Sequence, residues 1–178
     1  MNEKTFRMLE YNKIIEKLTR NAITYKGKEL ASTLTPSITL KKVKKMQQET
    51  TEAVSAMLRF GTPPIVPVAD FKEILNKVRI GGVLSIKSLL EVASTLKGMR
   101  EVKEYGKEHA GEATVLIDEY FESLYSNLNV EKEIFRCIKN DEELDDRASS
   151  ELYNIRRRIA DAEGKIKDKL NDIVHSSE

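Results

Sequence analysis

The sequence has few of the residues that mark several common classes of protein. Its 178 residues include no tryptophan, one cysteine, four prolines and eight glycines, and 30 basic residues are balanced by 29 acidic ones. A single cysteine cannot form an intrachain disulfide, so a small fold held together by internal disulfides is excluded. The net charge of +1 gives no bulk attraction for nucleic acid, and any such contact has to come from a local basic patch.

Long apolar stretches are also missing. No run of about 18 apolar residues occurs, and the charged N-terminus is not followed by an apolar segment. We therefore expect neither export nor a membrane span. Cys137 lies among Ile134, Phe135 and Ile138, which predicts a reduced, buried thiol and favours the cytoplasm.

The sequence instead has a strong helical pattern. Apolar residues make up 40% of the chain and recur at spacings of three and four, whereas the β-branched runs typical of sheets are absent. This pattern predicts an all-α fold, an irregular multi-helix bundle of roughly eight helices. The predicted helical segments are 5–24 with a break near Tyr11, 25–34, 40–60, a short one around 71–78, 86–105, 113–127, one that starts at Asn129, and 149–175.

Caps and breaks set the expected ends of these helices. We expect Thr39, Ser85 and Asn129 to act as N-caps, and the proline-rich segment 61–68 to form a loop because proline lacks a backbone donor. Gly81 and Gly82 should end one helix, and the segment 106–111 should end another. The segment 113–127 is the most apolar of all, which predicts that it lies in the core.

The last predicted helix, 149–175, is long and amphipathic. At about 1.5 Å per residue it would extend roughly 40 Å, more than a domain of this size needs for its own core. Its opposite face is charged, with three expected i,i+4 ion pairs. We therefore divide the chain into a helical core domain, 1–140, and an acidic turn with an outgoing helix, 141–178. The stripe comprises Leu152, Ile155, Ile159, Ala162, Ile166, Leu170 and Ile173, and the expected pairs are Arg157–Asp161, Asp161–Lys165 and Glu163–Lys167.

No catalytic, cofactor-binding or metal-binding residue is predicted. The Gly81–Gly82 pair lacks the surrounding pattern of a phosphate-binding or dinucleotide-binding loop. The acidic turn 140–146 does not have the spacing of an EF-hand, and its carboxylates are better explained by the positive end of the following helix. His109 and His175 stand apart, and we expect both at the surface.

Two basic clusters are the candidate contacts to nucleic acid. Lysines at the start of the helix 40–60 gain nothing from the helix dipole there, so they are either a solvated face or a binding surface for an acidic partner. Three adjacent arginines in the last helix cover more than half a turn, so at least one should lean inward. Their role is either packing and ion pairing within the protein or contact with phosphate groups. The candidates are Lys41, Lys42, Lys44, Lys45, Arg156, Arg157 and Arg158.

Six short motifs occur in order along the chain: LEYNKIIEKL at 9–18, GKELA at 27–31, QETTEA at 48–53, GTPP at 61–64, IGGVLS at 80–85 and DRASSELYNIRRRI at 146–159. Together they resemble the start of the second bacterial branch of the MutS family, MutS2. The resemblance covers essentially the whole chain, and no single motif is highly specific. The chain departs from the family pattern at Glu142, where many relatives have a glycine in the turn before the last helix.

The resemblance implies that this chain is an N-terminal core and lever fragment, cut where the outgoing lever helix approaches a clamp. A whole protein of that family would add the clamp, an ATPase domain that uses ATP and magnesium, and a small nuclease domain. The family is associated with suppressing homologous recombination on branched DNA and with splitting stalled or collided ribosomes, which implies contact with DNA, ribosomal RNA or both. It acts as a homodimer held mainly through the ATPase domain.

From the residues alone, a different class of function stays open. A free-standing helical adaptor could use the exposed stripe of the last helix to bind a partner helix. The continuation of the reading frame separates the two: a GxxxxGK[ST] loop further along would exclude the adaptor.

Overall fold

The computed structural model describes residues 3–68, 70–111 and 114–176. The fold is all-α, as predicted: nine α-helices and one short 3₁₀ turn are present in the described ranges, and the one β-type contact among them is an isolated bridge between Ile138 and Leu144. The helices are α1 Glu3–Met8, α2 Tyr11–Asn21, α3 Tyr25–Ser32, α4 Leu40–Phe60, α5 Lys72–Arg79, α6 Ile86–Glu108, α7 Val115–Glu122, α8 Leu128–Cys137 and α9 Ser150–His175, and the 3₁₀ turn is Asp146–Ala148.

Most predicted helix ends are confirmed, but not all predicted caps. Ser85 accepts a hydrogen bond from the Ser88 amide and starts α6 as expected. Thr39 occupies the N-cap position of α4 without a side-chain bond to the helix. The prediction for Asn129 is wrong, because Asn127 caps α8 by accepting from the Val130 amide, and the helix starts one residue before Asn129. Gly81 ends its helix with a positive φ of 74°, which glycine adopts without strain.

The helix α6 is the centre of the bundle and packs on α7 and α8. The predicted helix break at Gly106 is wrong: α6 continues to Glu108, and Gly106 is buried within it. A Cβ on Gly106 would lie 2.4 Å from the Cβ of Phe121 on α7, so this glycine allows the two helices to approach. Gly98 has the same role against Val66 of the proline-rich loop, which forms as predicted.

An ion pair joins α6 to α8. Glu131 is only 5% exposed, and its carboxylate accepts two hydrogen bonds from the Arg100 guanidinium, at 3.0 Å from Nε and 2.9 Å from Nη2. Arg100 also donates to Glu104 one turn further along α6. The bond from Arg100 lowers the pKa of Glu131 despite the opposing effect of its burial.

A second buried carboxylate joins α4 to α7. Glu52, 6% exposed, accepts from the backbone amides of Leu116 at 2.7 Å and Ile117 at 3.3 Å, so a side chain of one helix caps the amino end of another. The prediction that the segment 113–127 lies in the core is correct only in part. Ile117 is buried, whereas Val115 and Tyr120 are exposed. Ala113 lies outside the described residues.

His109 is not the surface residue that the sequence predicts. Its ring stacks on Phe60 at 4.1 Å between centroids and meets the edge of Tyr105 at 4.9 Å. Tyr105 donates to the Gly61 carbonyl at 2.8 Å. These contacts fix the end of α4 against the end of α6. His175 is exposed, as expected.

The molecule exposes far more surface than a compact protein of its mass. Its accessible area is 14098 Å², whereas a compact 20.3 kDa monomer exposes about 8,800 Å². Many large apolar side chains therefore face solvent on an extended, open assembly of helices.

Among the described residues, no helix combines the length and the hydropathy that crossing a membrane requires.

Replacing Gly106 with alanine should destabilise the bundle. The new Cβ would meet the Phe121 side chain at a distance that real contacts do not reach, and overpacking of this kind costs about 1–3 kcal/mol. The matched control is Gly164→Ala in α9, where nothing lies within 4 Å and alanine favours the helix. Thermal unfolding followed by near-ultraviolet circular dichroism measures both, and equal effects of the two substitutions would contradict the packing role of Gly106.

The Arg100–Glu131 pair should make stability depend on pH in acid. The pKa of Glu131 in the fold lies below its ordinary 4.5, so its stabilising effect is complete above about pH 4.5 and is lost as the pH falls through the lowered value. Glu131→Gln should cost about 3 kcal/mol at pH 7 and remove that dependence. Denaturant unfolding at pH 7 and pH 3 tests this, with Glu108→Gln, an exposed residue two turns away from Arg100 on the same helix, as control. An equal acid response in the wild type and E131Q would refute it.

Candidate nucleic-acid interface

The four candidate lysines occupy one half of the first two turns of α4. At 100° per residue they span an arc of roughly 160°, and all four are exposed. Val43 and Met46 are on the opposite side of the helix. There they line an open, mostly apolar groove of about 830 Å³ together with Tyr11, Leu34 and Pro36. We name Lys41, Lys42, Lys44 and Lys45 the lysine arc.

Little in the described structure neutralises the lysine arc. The exposed Lys45 lies 3.7 Å from the carboxylate of the half-buried Glu49, at the long end of the range for an ion pair. Glu49 also accepts a hydrogen bond from the Tyr120 hydroxyl at 2.9 Å, and this bond raises the pKa of Tyr120. Among the described residues, Lys41, Lys42 and Lys44 form no ion pair.

The position of the lysine arc is unfavourable for the helix itself. The amino end of a helix carries a partial positive charge that acidic residues and caps normally offset. The first turn of α4 contains no acidic residue, and Thr39 supplies no side-chain cap. Clustered cations at such an end lower helix stability.

The arginine cluster divides into one engaged and two free side chains. Arg156 is half-buried, and its Nη1 donates to the Leu144 carbonyl at 3.0 Å and to the Asp146 carboxylate. The expectation that one arginine leans inward and pairs is therefore confirmed for Arg156. Arg157 and Arg158 are exposed. Of the cluster, only these two have guanidinium groups open to a phosphate.

The structure does not bring the two basic clusters together. The helix that carries the lysine arc packs on α7, whereas α9 packs on the 3₁₀ turn Asp146–Ala148. Residues 157–175 of α9 are all exposed, so the helix projects as predicted. The apolar stripe is exposed along this length, and none of the three expected i,i+4 ion pairs forms among the described residues.

Sequence reasoning missed an arginine at the base of α9. Arg136 on α8 donates to the carbonyls of Arg147 at 2.6 Å and Ala148 at 3.3 Å. It also pairs with Glu133 at 2.5 Å, and this contact lowers the pKa of Glu133 to about 2. No spacing rule links a side chain to carbonyls 11 and 12 residues away. The neighbouring Cys137 is half-buried rather than buried, and desolvation raises the pKa of its thiol.

The acidic turn acts differently from the expectation. Ser149 caps α9 by accepting from the Leu152 amide, and Asp145 caps the 3₁₀ turn by accepting from the Arg147 amide. The carboxylates of Glu143 and Asp146 face the Arg156 guanidinium instead. In the described ranges, no group of three or more His, Cys, Asp or Glu side chains has the arrangement of a metal site.

Comparison with curated proteins gives matches along nearly the whole chain. It is 41% identical over 179 residues to the endonuclease MutS2 of Acetivibrio thermocellus, and 38% identical over 178 and 184 residues to those of Ruminiclostridium cellulolyticum and Halothermothrix orenii. Each match covers 99% of this chain. Along nearly its whole length, the chain is therefore similar in sequence to proteins named endonuclease MutS2.

The matches cover nearly all of this chain but only a small part of each relative. The chain spans less than a quarter of the length of these MutS2 relatives, 23%, 22% and 23% respectively. No family model matches it. Because the alignment covers 99% of the chain, the lysine arc, the arginine cluster and the base of α9 all belong to the segment shared with MutS2.

Proposed function

We propose that this chain is the core and lever segment of a MutS-like, DNA-binding ATPase and endonuclease, and that it serves as a structural, nucleic-acid-engaging scaffold without catalysis of its own. The 35–41% identity to proteins named endonuclease MutS2, along the full length of the chain, supports this assignment. The projecting α9 and the large exposed apolar surface support a role within a larger assembly.

In this proposal, the remaining parts of the protein supply the chemistry. ATP and magnesium are bound by an ATPase domain outside this chain, and that domain holds the homodimer together. The scaffold transmits the movement of the ATPase through α9, which is suited to this because a rigid element that extends beyond its own core can move a distant part. The whole protein acts in the cytoplasm, to suppress homologous recombination on branched DNA and to split stalled or collided ribosomes.

The lysine arc is the part of the scaffold that we assign to nucleic acid. The observation that carries this assignment is the uncapped amino end of α4, where exposed lysines occur without acidic neighbours in the first turn. Phosphate groups would complete the charge balance there, because backbone amides and cations at a helix amino end both favour anions. Arg157 and Arg158 are secondary candidates, and Arg156 is occupied within the protein.

A helical adaptor is the second candidate function. It is favoured by the exposed apolar stripe of α9, where Ile159, Ile166 and Leu170 are each more than half exposed. Such a stripe fits the groove of a partner helix. A reading frame that continues into a GxxxxGK[ST] loop would exclude this candidate.

The purified chain should neither hydrolyse ATP nor cut DNA. None of its described residues forms a phosphate-binding loop of the Walker type, and we assign both reactions to other domains. The measurement is phosphate release with ATP and magnesium, together with cleavage of a labelled four-way DNA junction. Turnover at an ordinary enzymatic rate, about 1 s⁻¹ or more, would refute the proposal.

Removing three lysines of the arc should weaken nucleic-acid binding and reduce its dependence on salt. In Lys41→Gln/Lys42→Gln/Lys44→Gln, the slope of log K against log salt should fall by about 2–3, because each lost phosphate contact removes about 0.9. Anisotropy of a labelled four-way junction and of a labelled ribosomal RNA hairpin, between about 50 and 200 mM salt, measures the slope for each ligand class.

The matched control removes three lysines elsewhere. Lys165, Lys167 and Lys169 are also exposed, on α9, and their replacement by glutamine should leave the slope nearly unchanged. The α9 variant should keep the thermal stability of the bundle within about 0.5 kcal/mol, because surface substitutions rarely do more. The variant of the lysine arc should be at least as stable as the wild type, because it removes cations from the positive end of α4. Equal changes of slope in the two variants would mean a diffuse charge effect and would contradict a site at the lysine arc.

A further inference from the structure

Among the described residues, α9 packs on the rest of the protein at its base. Leu152 and Arg156 in its first two turns are half-buried, and every residue from 157 to its end at His175 is exposed. These 19 residues form an arm of roughly 30 Å at 1.5 Å per residue. The direction of the arm therefore depends on the contacts that the first two turns of α9 make.

Arg156 provides the polar contacts of that base. Its Nη1 donates to the Leu144 carbonyl at 3.0 Å and to the Asp146 carboxylate, and lies 3.6 Å from Oε1 of Glu143. All three acceptors belong to the connector between α8 and α9, which we define as residues 139–149. Arg156 thus fastens the helix back onto the segment that precedes it.

The connector is itself fastened to the bundle from the other side. Arg136 on α8 donates to the carbonyls of Arg147 and Ala148, and the Asp145 amide donates to the Cys137 carbonyl at 2.9 Å. Two arginines, one on each helix, therefore hold the connector between them. The link Ala148–Ser149, where the backbone is extended, is the point at which the chain leaves this held segment and enters α9.

We propose that Arg156 is an electrostatic latch that fixes the angle between α9 and the bundle, and that breaking its contacts lets the arm turn about the Ala148–Ser149 link. The contacts suit a latch because they are few and its ionic partners are largely in solvent: side-chain exposure is 34% for Arg156, 59% for Asp146 and 42% for Glu143. Salt screens pairs of this kind. A turn of about 10° at the base would move the far end of the arm by about 5 Å.

The latch is a property of this chain and does not rest on the proposed function. A distance measurement between α9 and the bundle tests it directly. Spin labels attached through a ketone-bearing amino acid at Glu119 on α7 and Lys167 on α9, both exposed, leave Cys137 untouched. Pulsed electron spin resonance then gives the distribution of distances between the two labels.

The wild type should give a narrow distribution at low salt. Arg156→Gln should broaden the distribution at least twofold. Asp146→Asn should broaden it in the same direction, because it removes the negative charge closest to the guanidinium. The matched control Arg157→Gln removes an adjacent, exposed guanidinium and should leave the distribution unchanged. Raising the salt concentration should broaden the wild type but add little to the Arg156 variant.

Three results would overturn the proposal. These are a distribution in Arg156→Gln that matches the wild type, an equal broadening in Arg157→Gln, and a wild type that is already broad at low salt. Far-ultraviolet circular dichroism of each variant separates reorientation from unfolding: the latch requires helix content to stay the same while the distances spread. A loss of helix content in step with the broadening would also count against the latch.

Discussion

The ion pair between Arg100 and Glu131 is the contact on which the arrangement of the C-terminal half depends. It joins α6, the central helix, to α8 through two hydrogen bonds to a carboxylate that is 5% exposed. A carboxylate buried to this degree is stable only if it is paired, so the two helices have one register in which the pair can form. The helix α8 carries Arg136, which holds the connector, and the connector receives Arg156. The direction of α9 is thus set by a series of charged contacts that starts in the middle of the bundle.

Polar contacts between helices contribute much of the stability of the fold because the apolar core is small. Ala56, Ala93, Ile117 and Ile138 are the apolar residues that are buried among those described. Alanines and glycines allow close approach, and side chains then bond to the backbone of neighbouring helices: Glu52 caps α7, and Lys103 donates to the Glu122 and Leu124 carbonyls at the other end of α7. In a short helix such as α7, the unpaired backbone amides and carbonyls at both ends are hydrogen-bonded by side chains of other helices. These bonds fix its position with little buried apolar area.

The helical pattern and the resemblance to MutS2 were readable from the sequence because each depends on local spacing or on the order of motifs. The helix α4, Leu40–Phe60, and the projecting α9 follow from apolar periodicity alone. What could not be read depends on contacts between distant residues. Gly106 was expected to break a helix, because a glycine that makes room for Phe121 and a glycine that ends a helix look alike in one sequence. The stacking of His109 on Phe60 depends on two helix ends that meet only in the fold. Of the candidate site, the sequence located both basic clusters, but only the fold separates the occupied Arg156 from Arg157 and Arg158.

The exposed part of α9 also affects how the protein responds to heat. Residues 157–175 are all exposed, so their helix depends mainly on intrinsic propensity, and Gly164 in the middle weakens it. On heating, an exposed helix loses its structure gradually from its end, whereas the bundle unfolds cooperatively. The chain should therefore lose helix content in two stages, a broad early loss from the arm and a sharper later one from the bundle, and a partner that covers the stripe would merge them.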